Sequence, residues 1–144
     1  MKVIRVTKDD ISTIENIVNI LINNTEKRPT SNHLRQLLID NRTYLFAAFF
    51  NEDVIGYALA YKFPSLYSTN YLAYLYDIEV AASHRRKGVG RLLIGAILGN
   101  LKGDNVSEVF LGTATDNLEG QALFSATGGV KSGETFNDFT YELL

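Results

Sequence analysis

Two acids stand two residues apart near the end of an apolar run, and a basic, glycine-spaced turn follows at once: Asp77-Ile78-Glu79-Val80-Ala81-Ala82-Ser83-His84-Arg85-Arg86-Lys87-Gly88-Val89-Gly90-Arg91. In a strand, residues i and i+2 share a face, so Asp77 and Glu79 can act together on a proton or hold a cation by charge. Arg85, Arg86, Lys87 and Arg91, with His84 beside them, form a cationic patch suited to one anionic ligand. If a helix opens here, unpaired N–H groups from Lys87 to Arg91 and the positive end of the helix dipole can receive a pyrophosphate. Gly88 and Gly90 would let the backbone approach such a ligand and adopt positive φ where needed. The competing readings are a solvated basic loop preceding a helix, and for the two acids a salt bridge to a neighbouring Arg or Lys.

Placing these groups requires a strand before the turn and a helix after it. Tyr71–Val80 is β-prone and apolar on both faces, which predicts an interior strand. Gly88–Leu101 carries Val89, Leu92, Leu93, Ala96, Ile97 and Leu101 on a helical stripe, with Gly103 where a C-terminal cap belongs. Gly95 and Gly99 within it each cost about 1 kcal/mol relative to Ala, which close backbone packing would justify. Upstream, Val3–Val6 reads as a strand. Asp9 or Asp10 can cap a helix bearing Ile11, Ile14, Val18, Leu21 and Ile22. A polar connector over 23–29 leads to a second helix through Leu34, Leu37 and Leu38, capped by Thr30 or Ser31 and ending near Asp40-Asn41. Thr43–Phe50 and Val54–Phe63 flank Asn51-Glu52-Asp53 as a β-hairpin. Downstream, Val106–Gly112 is a strand, Asp116 or Asn117 caps a helix to Thr127 that Gly128-Gly129 ends, and Phe139–Leu144 closes as a strand. The order predicts an α/β (α+β) mixed sheet with helices on its faces.

The chain has 144 residues, 46% of them hydrophobic, the size of one domain able to bury its own core. It contains no cysteine, which removes disulfides, thiolate metal sites and a cysteine nucleophile. With no signal-peptide pattern and no apolar run of about 20 residues, a cytoplasmic protein without membrane attachment is expected. A formal net charge of −2 argues against a general nucleic-acid binder. No Walker-type loop is present, and Gly88-Val89-Gly90 lacks the third glycine of a dinucleotide fingerprint. His33 and His84 are the only histidines and there is no nucleophile elbow, so neither a metal centre nor a serine hydrolase is indicated.

Arg-x-x-Gly-x-Gly at 85–90, opening an amphipathic helix after an apolar strand, resembles the acetyl-CoA motif of the GNAT superfamily of N-acetyltransferases. Asp116-Asn117, Ala122-Leu123-Phe124 and Gly128-Gly129 resemble that family's later helix, in register with the first motif. Ala47-Ala48-Phe49, Val54–Tyr61 and Tyr74-Leu75-Tyr76-Asp77-Ile78 before Ser83–Gly88 are similar to the type I aminoglycoside 3-N-acetyltransferases.

The resemblance implies the GNAT acyltransferase fold over 1–144, with a mixed sheet of six to seven strands and about four helices. It implies acetyl-CoA as co-substrate, no metal, and a small cationic amine as acceptor, the 3-amino group of an aminoglycoside first. Polyamines, other small amines and protein amines remain alternatives, as does a CoA-binding module without catalysis. Ile78 and Val80 would pair with the pantetheine arm, the Ile78 N–H polarising the thioester carbonyl. Arg85, Arg86, Lys87, Gly88, Val89, Gly90 and Arg91 would hold the pyrophosphate. Asn117 would bond the arm, though an Asn there is also an ordinary helix cap. Phe124 adjoins the cofactor where many relatives carry Tyr, and it has no proton to give. Asp77 is the first candidate for general base and Glu79 the second. Tyr74, Tyr76 and Glu142 are further candidates for lining an acceptor cleft, and a homodimer is expected by family resemblance.

Overall fold

In the computed structural model, which describes residues 1–23 and 26–144, the apolar runs flanking Asn51-Glu52 form the expected hairpin, β2 (Thr43–Phe50) and β3 (Asp53–Pro64). Asn51 turns the chain at φ +56°, a left-handed conformation that Asn tolerates. β1 (Lys2–Arg5) precedes it, and β4 (Tyr71–Val80) and β5 (Val106–Phe110) follow. The strands lie in chain order, antiparallel throughout except for the parallel β4–β5 pair. That pair is joined by α3 (Val89–Gly103), so the basic turn sits at a strand-to-helix junction. The chain groups into two compact units, Met1–Gly112 and Thr113–Leu144.

In the first unit, α1 (Ile11–Asn16) runs into wider π-helical turns over Ile17–Ile22, and α2 (Ser31–Ile39) follows. Of the connector predicted over 23–29, Asn24 and Thr25 lie outside the described residues. Thr30 caps α2, its hydroxyl accepting from the His33 N–H at 3.1 Å. Asp10 precedes α1 but does not cap it: its carboxylate turns back to accept from the N–H and hydroxyl of Thr7. Ile14, Ile17, Val18 and Leu34 form one buried cluster with Leu45, Ala47, Val54 and Tyr57 of the sheet.

The opposite sheet face is a trough of small residues. Ala48, Ala58, Ala60 and Ala73 are wholly buried there, and a methyl built on Gly56 would meet Leu93 and Val89 of α3. α3 lays Val89, Leu93, Ile94, Ile97 and Leu101 into the core, whereas Leu92, which the pattern put on the buried stripe, is half-exposed. Gly95 and Gly99 face open space, so close packing does not account for them.

In the second unit, α4 (Leu118–Ala126) is capped by Asn117, whose side-chain oxygen accepts from the Gly120 N–H at 3.0 Å. It ends where Gly128 takes φ +99° and the Gly129 N–H returns to the Phe124 carbonyl at 2.8 Å. The strand expected over Phe139–Leu144 is not formed, and among the described residues the sheet has five strands rather than six to seven. A strand needs a ladder for its N–H and C=O groups, and residues 139–144 enter none. Among the described residues no helix is long and apolar enough to cross a membrane.

Candidate active site

β4 carries one more residue than β3 can match. Leu59 pairs with Asp77 and Ala60 with Leu75, which leaves Tyr76 as the extra residue of a β-bulge. Ala73 and Leu75 are buried; continued alternation would send Asp77 the same way. The bulge inverts the pattern. Past it, Val80 and Ile78 pair with Gly56 and Ala58 on the α3 face, and Asp77 and Glu79 stand on the other face with Tyr74 and Tyr76.

Tyr57, opposite Glu79 in the ladder, donates its hydroxyl to Oδ2 of Asp77 at 2.5 Å. Burial, that hydrogen bond, and the charges of Asp77 and Glu79 together push the Tyr57 phenol far above its ordinary range. Glu79 is engaged from outside: the Arg85 guanidinium donates to its Oε1 at 2.7 Å and to the Val80 carbonyl at 3.0 Å. The salt-bridge reading therefore holds for Glu79, and its partner is Arg85, a residue also expected at the pyrophosphate. Both side chains are more than 40% exposed, where such a pair contributes about 0–1 kcal/mol.

Aromatic rings continue this face away from the acids. Tyr76 meets Tyr61 and Tyr74 edge to face at 6.0 and 6.3 Å, and Tyr74 tilts against Phe110 at 5.4 Å. Tyr76 is 65% exposed, so the shelf is open to solvent.

The β5 ladder covers only Tyr71–Tyr74. From Leu75 to Val80 that edge of β4 has no strand partner among the described residues of the first unit, so the strand bearing the acids can accept an extended ligand alongside. Beyond it, Arg86 at φ +60° and Gly88 at φ +85° turn the backbone into α3. Arg86, Lys87 and Arg91 are exposed around that helix start. Val89 is 1% exposed with its side chain in the core, so only its N–H is available to a ligand.

In the second unit, the amide nitrogen of Asn117 donates to the Thr113 hydroxyl at 2.9 Å while its oxygen caps α4. Phe124 is half-buried, and Glu142 is exposed in an irregular segment. Among the described residues, no group of three or more His, Asp or Glu side chains is arranged to hold a metal ion.

The Acetyltransferase (GNAT) family matches residues 12–128. Human N-acetyltransferase 8 is 34% identical over 62 residues, which is 43% of this chain and 27% of that protein, so the match spans about a quarter of the relative's length. An aminoglycoside acetyltransferase from an uncultured soil metagenomic sample, solved with sisomicin, superposes with a TM-score of 0.89 at 25% identity, covering 99% of this chain and 96% of that one. The aminoglycoside N-acetyltransferase AAC(6')-Iy, solved with CoA, superposes at 0.75 with 18% identity, covering 99% and 100%; at that identity the likeness is one of fold. The mixed sheet, the open edge beyond Tyr74 and the Arg-x-x-Gly-x-Gly turn thus agree with a family match over most of the chain: this protein belongs to the GNAT acetyltransferase family.

Proposed function

We propose that this chain is an acetyl-CoA-dependent N-acetyltransferase of a small cationic amine, first an aminoglycoside at its 3-amino group. The observation that carries this reading is the single face of β4 on which Asp77, Glu79, Tyr74 and Tyr76 stand together beside an unpaired strand edge. The sisomicin-bound relative supports the aminoglycoside, since it is similar over nearly the whole chain.

The start of α3 fits a pyrophosphate. Gly88 at φ +85° presents backbone without a Cβ, the first helical N–H groups lack intrahelical partners, and exposed cations surround them. Arg86, Lys87, Arg91, Gly90 and the Val89 N–H would hold that group, and the backbone of Ile78 and Val80 the arm. Asn117 and Phe124 join this set by the family pattern. Bound acetyl-CoA would supply an activated acetyl group whose thiolate departs as the amide forms.

Asp77 takes the proton that the amine must lose. Glu79 binds a second ammonium of a polycation, exchanging Arg85 for it at small cost because the pair is exposed. Phe124 gives no acid, so the leaving thiolate draws its proton from water or from a tyrosine such as Tyr74 or Tyr76, or departs unaided. In this proposal the chain acts as one domain and as a homodimer, which sedimentation would test.

The test is release of free thiol from acetyl-CoA with a panel of aminoglycosides, polyamines and peptides, with the acetylated position read from the product. Release with aminoglycosides and acetylation at the 3-amino group are expected. Turnover of polyamines or peptides alone would replace the acceptor. No release with any amine, while CoA raises the melting temperature, would leave a CoA-binding module.

A further inference from the structure

Asp77 and Glu79 are held by partners of different kinds. Glu79 faces an exposed cation on a turn, whereas Asp77 is held from beneath by a neutral hydroxyl whose ring is buried. Tyr57 is 4% exposed and belongs to the cluster that includes Ile14, Ile17, Val18 and Leu34, so its ring has no alternative placement that keeps the core filled. The last torsion of an Asp side chain is broad and roughly two-fold, so an unrestrained carboxylate presents either oxygen over a wide arc.

We propose that Tyr57 is a positioning residue for acetyl transfer: by occupying Oδ2 of Asp77 it fixes the carboxylate plane and leaves Oδ1 to receive the proton of the incoming amine. This rests on the reading of Asp77 as the proton acceptor. The arrangement suits that task. A neutral donor orients the carboxylate without cancelling its charge, as Arg85 does for Glu79. Burial keeps the phenol protonated and therefore a donor throughout the range in which an amine acceptor is turned over.

A buried hydroxyl needs a partner whatever its role, so a kinetic cycle separates positioning from mere satisfaction. Tyr57→Phe, Asp77→Asn and the double variant are compared with the parent for kcat, for KM of acetyl-CoA, and for melting temperature. Phe retains the ring and its packing, and half-buried Asp77 can take water in place of the hydroxyl. Loss of alignment at a reacting centre is expected to lower kcat of Tyr57→Phe by about 10- to 100-fold. KM for acetyl-CoA should change by less than about twofold, because nothing that holds the cofactor is touched. With Asp77→Asn already present, Tyr57→Phe should change kcat by less than about twofold, since it acts only through that carboxylate.

An unimpaired Tyr57→Phe, or the same loss in both backgrounds, overturns the positioning role. A parent that releases no thiol with any amine, or an Asp77→Asn variant at parental speed, would remove the reading on which the role rests. Both differ from a slow Asp77→Asn beside a fast Tyr57→Phe, which sinks the positioning role alone.

Discussion

One substitution at three glycines should change stability in opposite directions. At Gly56 an added methyl lies 3.0 Å from the Glu79 carbonyl oxygen, 3.2 Å from Leu93 Cδ1 and 3.3 Å from Val89 Cγ1. The two leucine and valine atoms can yield a little, but the carbonyl is β4 backbone held in the β3–β4 ladder, where Gly56 pairs with Val80. Overpacking of this kind costs about 1–3 kcal/mol, from which about 0.4–1 kcal/mol is offset by the smaller unfolded-state entropy of alanine. The net loss is therefore about 0–2.6 kcal/mol, a fall in Tm of up to roughly 8 °C for a chain of this length. Gly95 and Gly99 have nothing within 4 Å of the same methyl, and each Gly→Ala there should gain about 0.8–1 kcal/mol of helix propensity, raising Tm by about 3 °C. Urea and thermal melts of the three variants in parallel measure this. A Gly56→Ala variant that gains stability as the other two do would refute the close approach of α3 and β4 to Gly56 on which the calculation stands.

Asp77→Asn should lower turnover by about 10²- to 10⁴-fold, the usual worth of a general base, while the apparent affinity for CoA stays within twofold; unchanged turnover would exclude Asp77 as the base. Arg85→Ala removes an exposed competitor for Glu79, so KM for a polycationic amine should fall by up to about fivefold; a rise in KM for acetyl-CoA instead would assign Arg85 to the pyrophosphate. Thr30→Ala deletes the α2 cap and should cost about 1 kcal/mol in a urea melt. The Tyr44 phenol, buried and bonded to Asp104, is pushed up to about 12, and Tyr57 and Tyr61 move in the same direction. Because these folded groups hold their protons longer than the unfolded chain does, their contribution is intact below pH 10 and is lost as pH rises from there to about 12. Melts across that window, with phenolate absorbance followed in parallel, should show stability falling before these tyrosines ionise.

What the sequence discloses here is what local chemistry decides. β4 is found with the bounds its composition predicts, Thr30 and Asn117 cap as short polar side chains before helices do, and Gly88 adopts the positive φ that a turn into a helix demands. Asp10 shows the limit of such signals, since a competing hydroxyl three residues upstream takes its carboxylate. The Arg partner of Glu79 is among the readings the sequence allows, but the partner of Asp77 is not legible. Tyr57 is 20 residues from Asp77, and in the sequence it is one aromatic among many in a hairpin strand. Only the pairing of Tyr57 with Glu79, together with the bulge beside it, brings the hydroxyl to the carboxylate. Phe139–Leu144 alternates as a strand would, but alternation describes a face and cannot provide a ladder.

The extra residue in β4 acts on that strand as a frameshift acts on a message. Before Tyr76 the buried positions are odd-numbered, 73 and 75; after it the positions facing α3 are even-numbered, 78 and 80. Tolerance to substitution along β4 should therefore alternate with period two and reverse phase at residue 76. Replacing the Tyr76 side chain would leave this frame intact, whereas deleting the residue would turn both carboxylates under α3, among the wholly buried alanines. Relatives aligned on hydrophobic alternation alone, without a gap at this point, would have apolar residues set against Asp77 and Glu79. The acids of such relatives would then appear to be missing when they are only one position out of frame.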